Sequence, residues 1–466
     1  MRHIAVLLLV LSIAPAQYLT LNTKLRKHVP IPTGDWCAGN TGYEANGQRY
    51  LLQTRGTGGL AIVNTTIPEN ASVVGSLTGI SVKEIKCWNN FAYATTDSGP
   101  TRVIDLTNPT APAVVSSSIV GAHALQIEGD RLYLNRASQS VIEIRDLAAN
   151  HLNPPLLGTI SGGNHDSKPY GNRLLVFGGT GTSKIMDVTN PAAPVQLGSI
   201  TPAGYDHFGA QFEVGGQMYM FILTEGTGGQ AYLYNITNPA SISLVTTYIT
   251  SSALSIHNIL IKGKYAFISY YKDGVRILDL SNPASLQEVG IFDPNASNAS
   301  GGLYTGTWDV YPYHDSFYMG EMYNTIGANT QGAWIVDFFP TFGNGSAGTG
   351  GLTPSQWWTN GPAFPGNADF ALRMIDGRPN SACVLAVGFS NTLWNGGPLP
   401  AAIAPGVMLN VSLDAMFNLV TNVNGGASLP IAIPAGFGGT FYTQWAVFDP
   451  GVPAGVAVTK GGIIRI

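Results

Sequence analysis

The chain has 466 residues, a length that suits two domains better than one. Only 11% of them are charged, against roughly 25% in ordinary globular chains, while 57 glycines and 29 prolines favour many short strands joined by tight turns. The net charge of −4, with no Lys/Arg-rich run or basic helix, gives no place to nucleic acid as a partner.

At the N-terminus, MRHIAVLLLVLSIAPAQ sets Arg2 before an apolar run from Ile4 to Ala14 and ends in small residues at Ala14–Ala16. That pattern predicts a secretory signal peptide over residues 1–16, cleaved before Gln17. The run falls short of the ~20 apolar residues that cross a bilayer, and no later segment reaches that length. A secreted or cell-surface protein without a transmembrane segment is therefore expected. No cysteine follows the cleavage site, which disfavours a lipoprotein. Cys37, Cys87 and Cys383 cannot build a disulfide framework. Cys37 and Cys87 could pair if neighbouring inner strands met, but buried thiols are the simpler expectation.

From here the chain repeats itself. The unit RVIDLTNPTAPAVVSS (102–117) returns as KIMDVTNPAAPVQLGS (184–199), AYLYNITNPASISLVT (231–246) and VRILDLSNPASLQEVG (275–290). Weaker copies occupy 60–76, 141–159 and 333–338. Each is an apolar strand ending near Asp or Asn, a polar turn with Pro, and a second short strand. Pro pushes the residue before it out of the helical region, and Asn bonds nearby backbone, so "NP" reads as a turn. Before each copy comes an opening residue, a Gly/Asn turn and another strand. His123, His165, His207 and His257 open four successive units, with Lys83 and Trp308 in the equivalent slots of others. Four strands per unit, repeated seven times at a period of about 40–50 residues, predict a seven-bladed β-propeller over residues 17–340. The segment KLRKHVPIP (24–32) looks like the last strand of a unit but has no unit of its own, whereas the seventh unit lacks that strand. It is expected to complete the last blade and close the ring.

Residues 341–365 are Gly/Ser/Pro-rich and read as a linker. Beyond them, alternating strands broken by Gly and Pro predict a β-sandwich over 366–466.

The VRILDLSNP-type motif is similar to the LVIVD repeat of secreted bacterial propellers. With VKEIKCW (82–88), GGNHDSKPYG (162–171), residues 255–294 and GTWDVYPYHDSFYMGEM (306–322), the span of about 25–340 resembles choice-of-anchor B proteins. The resemblance implies fold and export, and no settled activity comes with it. The last block resembles a C-terminal β-domain appended to varied secreted bacterial proteins, through YTQWAVFDPG (442–451). A role in surface attachment is conceivable from it, and a stabilising or binding module is as good an expectation.

The first strand of a propeller blade lines the channel, so His123, His165, His207 and His257 should ring one mouth. Neutral imidazole is a common metal ligand, and its second nitrogen needs an orienting partner. Three or four such ligands would suit Zn, Fe or Cu at the propeller axis, with Asp166, Asp206, Trp308 and Asp309 as supporting residues. The alternative is that the repeated histidine only bonds strand junctions. No G-x-S-x-G, H-E-x-x-H or P-loop appears, and no GxGxxG in a strand–helix setting, so no catalytic residue is assigned. The expected function is binding or interaction outside the cytoplasm, with an extracellular protein, a glycan or a small ligand as partner. A metal-dependent enzyme centred on the histidines is the alternative.

Overall fold

In the structure, a computed structural model, residues 18–31, 39–96, 99–162, 165–201, 203–294, 303–314, 316–322, 331–359 and 361–466 are described. The signal segment and Cys37 lie outside the described residues.

The repeats fold as antiparallel four-stranded sheets that succeed one another along the chain. The first holds Asn40–Ala45, Gln48–Thr54, Leu60–Asn64 and Ser72–Leu77 in that order. In the sheets before the last, the turn between the third and fourth strands is fixed by its own side chains. Asp105 Oδ1 accepts from the Thr107 N–H at 2.8 Å, and Asn108 Oδ1 from the Thr110 N–H at 3.1 Å. The pairs Asp187/Asn190, Asn235/Asn238 and Asp279/Asn282 do the same. That is why Asp or Asn ends the third strand and Asn precedes proline. A glycine on the fourth strand then lets the next sheet approach. A Cβ at Gly75, Gly158 or Gly198 would stand 2.1, 1.8 or 2.1 Å from the carbonyl oxygen of Pro109, Pro191 or Pro239.

The first strands form the centre. Asn40–Ala45 packs beside Glu84–Trp88, which packs beside Ala124–Glu128, and so on through Ser167–Tyr170, Tyr205–Val214 and Ile259–Lys262 to Gly306–Tyr313. The last of these returns to Asn40–Ala45, so the fold is a closed β-propeller.

Closure uses the N-terminal segment. Thr23–Pro30 pairs with Gly332–Phe338 from Thr23↔Phe338 to Pro30↔Gly332, as the outer strand of the last sheet. Leu19–Leu21 adds a further strand to the sheet before it, against Ile291–Asp293. Arg26 on the closing strand donates to Asp337 Oδ2 at 2.6 Å and also binds Glu69.

The segment expected as a linker is a correction. Thr341–Phe342 pairs with Gly461–Gly462, and Ser355–Thr359 pairs with Ala371–Ile375. Trp357 and Trp358 are buried, in one core with Phe338 and Phe339 of the propeller and with Phe370, Leu385 and Trp445 beyond it. Burying two tryptophans outweighs the Gly/Ser composition around them. The C-terminal part therefore begins at Thr341 rather than 366. It comprises one sheet around Ala382–Gly388 and Thr440–Phe448 and another of Ser355–Thr359, Ala371–Ile375 and Ala427–Pro430. Arg373 of the second sheet also donates to Asp337 Oδ2, at 2.9 Å.

Candidate functional site

The four histidines reach one end of the channel because their backbones share a register. The N–H of His123 donates to the Asn135 carbonyl at 2.9 Å and that of His257 to the Ser269 carbonyl at 3.0 Å, each at the end of the neighbouring second strand. His207 is the extra residue of a bulge between Asp206 and Phe208, and Trp308 that of a bulge between Thr307 and Asp309. A bulge re-aims one side chain without breaking the strand, here toward the mouth.

The rings form an arc. Centroids of His123 and His165 are 4.5 Å apart, of His165 and His207 4.1 Å, and of His207 and His257 4.3 Å, with Trp308 4.3 Å from His257. His123 Nε2 and His165 Nε2 are 3.1 Å apart and hydrogen-bonded to each other. His28 stacks on Trp334 instead, while His151 lies tilted against Phe91 and His314 stands edge-on to Tyr313.

Sequence reasoning missed Glu225, the last residue of the second strand Gln217–Glu225. Its Oε1 lies 3.9 Å from His207 Nε2 and 3.9 Å from His257 Nε2, and the three donor atoms fall within 4.8 Å of one another. Tyr271 donates its hydroxyl to Glu225 Oε1 at 2.6 Å. Tyr271 stands in the left-handed region (φ 42°), held there by a backbone bridge to Thr307. His257 donates Nδ1–H to the Trp308 carbonyl at 2.6 Å, which leaves a lone pair on Nε2. Burial holds the His207 and His257 imidazoles well below their usual range, so both are neutral at pH 7. Burial also pushes the Glu225 carboxyl up, against the hydrogen bond from Tyr271.

The supporting residues expected from sequence divide. Trp308 holds His257 through its carbonyl and its ring. Asp206 is a correction: its Oδ2 accepts from Ser183 Oγ at 2.6 Å on the neighbouring sheet. Asp309 accepts from the Asn40 N–H at 3.0 Å and from Asn258 Nδ2 at 3.2 Å. Asp166 accepts from Asn135 Nδ2 at 2.7 Å and from the Ser167 N–H at 2.6 Å. Each of these carboxylates thus turns to a donor on a neighbouring sheet.

Lys83, Glu84, Asp166, Glu225, Tyr271 and Tyr304 join the histidines and Trp308 in lining a cavity of about 320 Å³. Glu84 and Asp166 also line a deeper chamber of about 220 Å³, together with Lys86, Lys168 and Asp309. Burial pushes Glu84 up to about 8 and Asp166 up to about 6, and pulls Lys168 down to about 8. The channel is thus a polar, desolvated space entered past an arc of imidazoles.

Residues 255–294 match the family model described as LVIVD repeat. No curated protein matches the chain. Among solved structures, the WD40 β-propeller domain of Doa1 is similar at 12% identity, covering 68% of this chain and 97% of that one, with a TM-score of 0.48. BamB from Moraxella catarrhalis is similar at 10% identity, covering 65% and 86%, with a TM-score of 0.44. The computationally designed Ika8 protein is similar at 11% identity, covering 66% and 98%, with a TM-score of 0.43. Among the described residues, no helix is long and apolar enough to cross a membrane.

Proposed function

We propose that this chain is an exported, seven-bladed β-propeller with a C-terminal β-sandwich, acting as a binding module whose ligand seats in the histidine-lined mouth. The observation that carries the reading is one cavity of about 320 Å³ to which separate repeats each send a polar or aromatic side chain. Structural histidines at strand junctions would satisfy both nitrogens locally. Here His207 Nδ1 has no hydrogen-bond partner among the described residues. A site of this size takes a small polar ligand, or one protruding side chain or sugar of an extracellular partner. Export rests on the signal-like N-terminus, and the likeness to choice-of-anchor B proteins agrees with it. Surface attachment, if the protein has it, falls to the C-terminal sheets.

A thermal-shift panel of small polar ligands and metal ions tests the site. A ligand at 100 times its Kd stabilises by about 2.7 kcal/mol, enough to raise Tm by several degrees. At least one should do so for the natural chain and fail with His165→Ala/Tyr304→Ala. Stabilisation that persists undiminished in that variant would put the ligand site elsewhere. The alternative, a metal-dependent enzyme, would be built on the grouping of His207, Glu225 and His257. It requires turnover in addition to occupancy.

A further inference from the structure

We propose that His207 Nε2, Glu225 and His257 Nε2 hold one divalent transition-metal ion of the zinc, cobalt or copper type. The inference rests on the mouth being the ligand site and names what occupies it. The three groups are buried or nearly so, yet they do not bond to one another. At 3.9 Å, each nitrogen is too far from Glu225 Oε1 for a hydrogen bond and near enough for both to face one small occupant. An ion at 2.0–2.1 Å from tetrahedral ligands sets those ligands about 3.3 Å apart, so closure asks for shifts of roughly half an ångström.

Two of the three ligands are already oriented from behind. His257 is fixed in the Nδ1–H tautomer by the Trp308 carbonyl, and Glu225 is aimed by the Tyr271 hydroxyl. This is the outer support that metal-bound imidazole and carboxylate receive elsewhere. The strained backbone at Tyr271 serves that placement, since its φ of 42° is uncommon for a bulky residue. Two imidazoles and one carboxylate favour borderline transition metals over calcium or magnesium, which take oxygen ligands. The His165 ring packs 4.1 Å from that of His207 and lines the same cavity.

The test is titration of chelator-treated full-length protein with Zn(II) by calorimetry and with Co(II) by visible absorption. One ion per chain is expected, with a Co(II) spectrum of low-symmetry, four- or five-coordinate type. Glu225→Gln and His257→Ala should each weaken binding by at least about 100-fold, and Tyr271→Phe by about 10-fold. Far-UV circular dichroism checks that the variants remain folded. His123→Ala should bind as the natural chain does. If the natural chain takes up no ion, or if Glu225→Gln binds unchanged, the metal site is wrong. Uptake lost with His123→Ala but kept in His257→Ala would also overturn it. If the site is wrong while another ligand of the panel still depends on His165 and Tyr304, the binding reading stands and only the metal falls.

Discussion

Deletion of residues 17–32 is expected to abolish cooperative folding of the propeller, with a loss above about 5 kcal/mol. The segment supplies the outer strand of the last sheet, in register from Thr23↔Phe338 to Pro30↔Gly332. Without it Gly332–Phe338 becomes an open edge, and unpaired edges invite association with other chains. Buried Val29 and Ile31 leave the cluster they form with Leu51, Val63 and Ile335. Each buried aliphatic side chain contributes about 1.5–3 kcal/mol. Arg26 is lost with them, and Asp337 keeps a buried carboxylate with one charge partner fewer. Leu19–Leu21 goes too, uncovering the edge at Ile291–Asp293. Thermal unfolding compared with the chain beginning at residue 17 reads the effect. A melting point within a degree or two of that reference would contradict closure by this segment.

Asp337→Ala should cost about 3–5 kcal/mol, the largest effect expected of a single substitution. Its carboxylate binds Arg26 of the closing strand at 2.6 Å, Arg373 of the C-terminal part at 2.9 Å and the Ser316 hydroxyl at 2.8 Å. One buried side chain thus joins the N-terminus, the last sheet and the C-terminal sheets. The Arg26 side chain is only 6% exposed, so removing Asp337 strands a buried guanidinium with Glu69 at its outer side. Glu69 is 55% exposed and replaces little of what is lost. Denaturant unfolding of Asp337→Ala should show a lower midpoint shared by the propeller and the C-terminal sheets. A midpoint unchanged to within 1 kcal/mol would mean that these contacts contribute little.

The repeat made most of the propeller legible. Asp or Asn at the third strand's end and Asn before proline each bind a backbone N–H two residues on, so the motif is a turn wherever it recurs. The closing strand was readable because the pattern around Lys24–Val29 had no unit of its own. The histidines were readable from register alone, and their rings do meet. Glu225 was hidden by the same reasoning, which looked only at the start of each first strand. The second strand runs antiparallel to the first, so its last residue reaches the same mouth, as the pairing Tyr205↔Glu225 shows. A charged residue closing the apolar run MFIL (220–223) was the available signal. Tyr271 and Tyr304 stand outside the strands, where repeats impose no register. The linker reading failed at Trp357 and Trp358, because composition counts glycines and says nothing of what two adjacent indoles must bury.

The most direct test of the metal site in the mouth is an anomalous-difference map from crystals of the full chain soaked in Co(II). The account predicts one strong peak within about 2.0–2.2 Å of His207 Nε2, His257 Nε2 and a Glu225 oxygen. A crystal that takes up cobalt only at other positions, leaving water between these three side chains, would contradict it.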